Sequence, residues 1–186
     1  MFNYFFKNLN TLFLTCALAF ISIANAQEVR VIDNKGTIDT ILKQTIAELF
    51  DTGGGLTITD ADAIIQFNTQ GIIDVNDYDV NTTSIKVKKA GTYKVTYRVT
   101  AQITFGTSRS GTEYKLLKND VVVPGSYSAA YHRTLNPGID TASASRILVL
   151  VANDVLKVRG KRYAGNNNTT IKTVAQGSSF LVERIK

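Results

Sequence analysis

The chain's only histidine, His132, lies in Tyr127-Ser-Ala-Ala-Tyr-His132-Arg133. With Ser126 or Ser128 and an aspartate it would supply the parts of an acyl-transfer triad, the imidazole taking the serine proton. The Gly-x-Ser-x-Gly elbow that presents such a serine is missing, and a lone histidine on a strand or loop serves structure more readily than chemistry. A zinc site draws three or four ligands from His, Cys and acidic side chains, which one His and the single Cys16 do not provide. Asp74-Val-Asn-Asp77-Tyr-Asp79 offers three carboxylates and an amide within six residues, hard oxygen ligands of the kind calcium takes. It lacks the Gly and closing Glu of a helix-loop-helix calcium loop, and an ordinary polar turn accounts for the same residues. Calcium is therefore the one metal with ligand chemistry present, and no other cofactor is expected. Glu113 and Asp140 carry carboxylates, but nothing in their spacing marks a glycosidase pair. The chain reads as a non-enzyme.

Recognition chemistry is better represented. Tyr127, Tyr131, His132 and Arg133 cluster between Pro124-Gly125 and Pro137-Gly138. Tyrosine and arginine dominate binding hot spots, and loops on a rigid scaffold commonly carry binding. Packing of the loop on itself is the plainer account of the same residues. Asn166-Asn-Asn168 forms a polar tip and a second candidate contact.

Residues 1–26 read as a signal peptide: Lys7, the apolar run Leu12–Ile23, then Ala24-Asn-Ala26 ahead of Gln27. Export to a secreted or cell-surface location follows, with no membrane segment kept after cleavage. Cleavage would remove Cys16, leaving neither disulfide nor thiol, and would lower the formal charge from +6 by the one lysine to +5. That excess is scattered along strand faces, as in Lys86, Lys88, Lys89, Lys94 and Arg98, and does not mark a nucleic-acid surface. About 160 residues then remain, enough for one domain with a proper core.

The elements that would position these residues are mostly strands. Gly91-Thr-Tyr93-Lys-Val95-Thr-Tyr97-Arg-Val99-Thr-Ala101-Gln-Ile103 alternates apolar and polar without error, a long strand with one wet face. Such asymmetry belongs to antiparallel sheets. Nine further candidates follow the same logic: 62–67, 84–88, 113–118, 121–123, 126–133, 142–151, 155–162, 170–175 and 178–185, punctuated by turn residues such as Asn119-Asp120 and Asn153-Asp154. Within them, Arg146-Ile-Leu-Val-Leu-Val151 is apolar on both faces, so both need cover. Upstream, Ile38, Ile41, Leu42, Ile46, Leu49 and Phe50 recur at helical spacing behind Thr37, predicting a helix over 37–50. Asp51-Thr-Gly-Gly-Gly55 reads as a flexible hinge after it. The organisation expected is a signal peptide (1–26), a strand, helix and hinge (27–55), and a β domain (56–186).

Four segments, in order, resemble one family. Ala90-Gly91-Thr-Tyr93-Lys-Val95-Thr-Tyr97 is similar to the Gly-x-Tyr-x-Phe strand of the globular heads of complement component one q, which share a jelly roll with tumour necrosis factor. Tyr114–Val123 resembles the family's Leu-x-Lys-Asn-Gly-x-x-Val hairpin, with Asp120 in place of Gly; Asn and Asp both tolerate positive φ. Ala144–Val158 resembles the strand pair around Gly-Asp-x-Val, with Asn153 for Gly, and Gly177–Ile185 resembles the closing strand. The resemblance spans about residues 60–186. It implies an all-β antiparallel jelly-roll sandwich of about ten strands, assembled as a homotrimer. Tyr93, Tyr97, Tyr114 and Phe180 would then line the trimer axis or fill the monomer's own core. The function implied is a secreted recognition or adhesion module for protein or glycan. A structural subunit of a surface layer, fibre or virion is the competing role.

Overall fold

The computed structural model describes residues 29–32, 38–41, 44–106, 109–133, 138–165 and 169–186; the expected signal peptide and the Asn166–Asn168 tip lie outside them. The chain divides into two units at Lys43/Gln44. In the first, β1 (Val29–Ile32) and β2 (Ile38–Ile41) form an antiparallel hairpin.

The second unit carries β3 (Thr45–Asp51), β4 (Thr57–Ile58), β5 (Ala63–Ile64), β6 (Thr69–Ile73), β7 (Tyr78–Asn81), β8 (Ser84–Val87), β9 (Gly91–Phe105), β10 (Ser110–Lys118), β11 (Val121–Val122), β12 (Ser128–His132), β13 (Ile139–Leu150), β14 (Val155–Gly165), β15 (Thr170–Thr173) and β16 (Ser178–Arg184). One sheet runs β11-β10-β14-β8-β7, with β12 also on β10 and β5 on β14. The other runs β4-β15-β9-β16-β3-β6, with β13 on the free side of β9. Every pairing is antiparallel. The fold is an all-β jelly-roll sandwich.

Strand β9 behaves as its alternation predicts. Tyr93, Val95, Tyr97, Val99, Ala101 and Ile103 are buried, while Lys94 and Arg98 are exposed. The inward side chains meet Tyr114, Leu116, Leu156 and Val158 from the opposite sheet in one core. Tyr97 pins the sheets together: its hydroxyl donates to the Ser126 carbonyl at 2.5 Å and lies 3.0 Å from Ser128 Oγ. Tyr78 meets Tyr93 edge to face at 6.2 Å, and Phe67 packs on Phe180 at 5.5 Å.

The expected helix over 37–50 is a correction. Residues 38–41 and 45–50 of it lie in β2 and β3; 37, 42 and 43 lie outside the described residues. Ile46, Leu49 and Phe50 do recur at helical spacing, but the buried set of β3, Thr45, Ala47, Leu49 and Asp51, follows the period of two, and β3 lies between β16 and β6. Two neighbouring strands outweigh a weak local propensity, especially over a β-branched Thr45-Ile46 start. The hinge is a correction for a related reason. Asp51 Oδ1 accepts from Gly53 N (3.1 Å) and Gly54 N (2.9 Å), and Gly55 N donates to Thr173 O (2.8 Å). Gly54 has φ +62°, and a Cβ there would lie 2.4 Å from Ala175 N. The triple glycine is a packed turn inside the compact unit, which begins at Gln44 and not at residue 56.

Candidate functional site

Two turns next to the site are held by residues of the resemblance motifs. Asn119 and Asp120 adopt φ of 50° and 64°, closing β10 onto β11 as expected of an Asn-Asp pair, and Asn153 adopts 74° between β13 and β14. The buried Asp154 carboxylate accepts from Val151 N (2.9 Å), Asn119 Nδ2 (2.7 Å) and Lys118 Nζ (3.0 Å). Burial pushes its carboxyl up, but the Val151, Lys118 and Asn119 donors together hold it below the usual carboxylate value.

Beyond these turns, β10, β12 and β14 lie side by side and present a rigid outer face. Register sorts its residues into rows. Ser128, Ala130 and His132 pair with Tyr114, Thr112 and Ser110 and point inward; Ala129 and Tyr131 pair with Glu113 and Gly111 and point outward. Lys161 and Arg159 of β14 extend the rows of Glu113 and Lys115. At one end Tyr127, 52% exposed, has Lys115 Nζ 5.6 Å from its ring centroid. At the other, Tyr131 and Tyr163 are each 47% exposed on either side of Gly111. The β10–β14 register shifts between Gly111 and Thr112, and the extra residue on β14 is Tyr163. Its ring covers Gly111: a Cβ there would lie 2.6 Å from Tyr163 Cζ. Bulges aim side chains in this way.

Between the two aromatic ends the floor is Ala129, exposed, beside Glu113 and Lys161. Glu113 Oε1 accepts from Lys115 Nζ at 3.0 Å and lies 3.5 Å from Lys161 Nζ; Arg159 pairs with Asp62 at 3.0 Å. Partial desolvation, then the Glu113 carboxylate, raises the Tyr127 phenol pKa, with Lys115 opposing. The result is an outer sheet face with tyrosines at both ends and an ion cluster between them.

The four expected recognition residues do not share this surface. Tyr127, Tyr131 and Arg133 are exposed, but His132 is fully buried because strand alternation turns it inward. Its Nε2 lies 3.0 Å from Thr112 Oγ1 and its Nδ1 3.0 Å from Gly138 O. Burial lowers its pKa, against the Gly138 carbonyl and Asp140. Both ring nitrogens are engaged, and neither serine serves it: Ser126 Oγ bonds Leu116 N and Val123 O, and Ser128 Oγ faces Tyr97. The triad arrangement is absent from this histidine's surroundings. Sequence reading missed Tyr163, Glu113, Lys115 and Lys161 as members of the face; the signal available was only the alternation of β10 and β14.

Asp74, Asp77 and Asp79 do not converge. Asp74 Oδ2 accepts from Ile46 N (2.9 Å), Asp77 pairs with Lys89 (2.5 Å), and Asp79 with Lys86 (2.8 Å) and Lys88 (2.6 Å). Among the described residues no group of three or more His, Cys, Asp or Glu side chains is placed to hold a metal. Tyr93, Tyr97, Tyr114 and Phe180 are all buried inside the single chain, so they fill its own core. Burial pushes the Tyr114 phenol up to about 12.

The surface left open lies on β13. Leu148 and Leu150 face the core, whereas Ile147 (63% exposed), Val149 (74%) and the adjoining Val151 (57%) stand outward beside Lys94 and Thr92 of β9. The doubly apolar run is thus covered on one face by this unit and bare on the other.

No family model matches the chain, and no curated protein matches it. Solved structures do. Murine APRIL superposes with a TM-score of 0.52 at 8% identity, covering 77% of this chain and 100% of that one. Eiger TNF from S. frugiperda gives 0.51 at 13% identity, covering 77% and 93%. At these identities the likeness establishes the fold, a TNF-like jelly roll.

Proposed function

We propose that the chain is an exported, non-catalytic recognition module of the complement-head branch of this fold, assembling as a homotrimer and binding protein or glycan. The observation that carries this reading is the outer face of β10, β12 and β14, where the half-exposed Tyr131 and Tyr163 stand on paired strands and Tyr127 directly precedes β12. Aromatic side chains held rigid before binding lose little entropy on contact, which is what makes them hot spots. Assembly is supported by Ile147, Val149 and Val151: neighbouring apolar side chains left bare on an edge strand mark a protein interface. The jelly-roll likeness supports the same picture by analogy of fold, which alone does not give function. Light scattering on the full chain tests the assembly. A mass of three subunits supports the module, open-ended growth favours the structural-subunit role, and a monomer removes the trimer. Binding is tested separately with Tyr131→Ala, which leaves the mass unchanged and weakens ligand capture if the face is the recognition surface.

A further inference from the structure

The ion cluster of the tyrosine face narrows its ligand. Glu113, its side chain only 13% exposed, is the single carboxylate shared by Lys115 and Lys161, whereas Arg159 has Asp62 to itself. Two ammonium groups and one carboxylate leave one positive charge unbalanced in this cluster. Lys161 is the more exposed of the two lysines and the farther from Glu113, so the unbalanced charge is presented there. Tyr127 and Tyr131 stand at either end of this cluster, four residues apart along one strand direction, about 13 Å at the usual rise. The floor between them is the methyl group of Ala129.

A ligand that fits must be flat enough to lie on Ala129 and must carry C–H groups for the electron-rich faces of tyrosine at both ends. It must also bring one anionic group, within the span between Tyr127 and Tyr131, to Lys161. A polyanion with a charge at every short step, such as nucleic acid, would meet Glu113, Asp62 and Asp120 along the same face. We infer that the outer face between Tyr127, Tyr131 and Tyr163 binds a short stretch of carboxylated glycan, its sugar faces stacked on the tyrosines and a uronate carboxylate paired with Lys161. This rests on the recognition reading above and specifies its ligand.

The test is binding of the full chain to hexuronate oligosaccharides and to neutral hexose oligosaccharides of equal length, by isothermal titration or array. Variants are Tyr163→Ala, Lys161→Ala and Ala129→Glu, the last placing bulk and a second carboxylate on an exposed position. Hexuronate binding that weakens about tenfold in Tyr163→Ala, is lost in Ala129→Glu and falls at high salt supports the inference. Lys161→Ala should bring hexuronate down to the neutral level. Circular dichroism and solution mass should be unchanged in all three. Hexuronate binding that survives Tyr163→Ala and Ala129→Glu overturns the site and leaves the recognition reading standing. Equal affinity for neutral and acidic sugars overturns the carboxylate assignment. Binding of neither sugar, with a protein partner engaging the same face, overturns the ligand class alone.

Discussion

Replacing Asp154 by alanine should be among the most damaging polar substitutions in the molecule. Its carboxylate accepts from Val151 N, Asn119 Nδ2 and Lys118 Nζ, tying the β10–β11 turn to the β13–β14 turn. Removing it leaves the Val151 N–H and the Asn119 amide without that acceptor, and each orphaned partly buried donor costs about 1–3 kcal/mol. Lys118 is partly exposed and contributes less than about 1 kcal/mol. The sum is a loss of about 3 kcal/mol, or a fall in Tm of about 10 °C for a domain of this size. Asp154→Asn, which keeps the shape but not the charge, should lose about half as much. Urea unfolding followed by circular dichroism measures both, at fixed protein concentration because assembly links stability to concentration. The Asp154 pKa is depressed on folding, so its contribution is full above the unfolded value near 3.8 and is lost as pH falls through the lower folded value. The gap between wild type and Asp154→Asn should therefore close in strong acid. A loss below about 1 kcal/mol in Asp154→Ala, or a gap that does not change with pH, would refute the reasoning.

Three further outcomes follow from the same geometry. His132 is buried with a lowered pKa, so the unfolded chain binds its proton first; stability should fall as pH drops through about 6.5, and thermal melts of His132→Gln should lack that part of the slope. Gly160→Ala would set a Cβ 2.8 Å from the Tyr114 ring and 3.0 Å from Ile65 Cδ1, between the sheets, at a cost of about 1–3 kcal/mol in urea unfolding. Val149→Lys, on the bare outer face of β13, should leave monomer unfolding within about 0.5 kcal/mol of wild type while analytical ultracentrifugation shows assembly lost.

The sequence carried the sandwich well where side chains alternate. The ten strand segments expected between residues 62 and 185 each contain a strand, and in the long ones, β9 and β10 above all, the buried face shows as a period of two. It misled where two periods coincide. Ile46, Leu49 and Phe50 fit a helix while Thr45, Ala47 and Leu49 fit a strand, and only pairing with β16 and β6 decides, contacts made across more than a hundred residues on one side. Strands β4, β6 and β7 were illegible because they are short and draw on the sheet edge for stability. At the site, Tyr127 and Tyr131 could be picked from residue type, yet His132 was grouped with them although the same alternation turns it inward. Tyr163 lies one residue beyond the strand expected over 155–162; the alternation of Lys157, Arg159 and Lys161 continues onto it, but the register shift that sets its ring over Gly111 leaves no mark in the sequence.

The residues that carry the family resemblance are largely not those that can carry recognition. Tyr93, Tyr97 and Phe180 are buried to the last few per cent, and Asn119 and Asp154 are consumed in bonding two turns to each other. These positions repeat because a jelly roll needs aromatic fill between its sheets and positive-φ turns at two hairpins, whatever it binds. The outward positions are free of that demand: Tyr127, Tyr131, Tyr163 and Lys161 can change without touching the core, and so can Ile147 and Val149. A likeness at 8–13% identity therefore conveys the inward set and is silent on the outward one. Partner choice must be written in the outward set. Substitutions at Asp154 should thus abolish every property of the protein together, whereas those at Tyr163 and Val149 should remove ligand binding and assembly one at a time. If Tyr163→Ala disrupted assembly as severely as Val149→Lys, the two faces would be one interface, and the separation argued from their opposite sheets would fail.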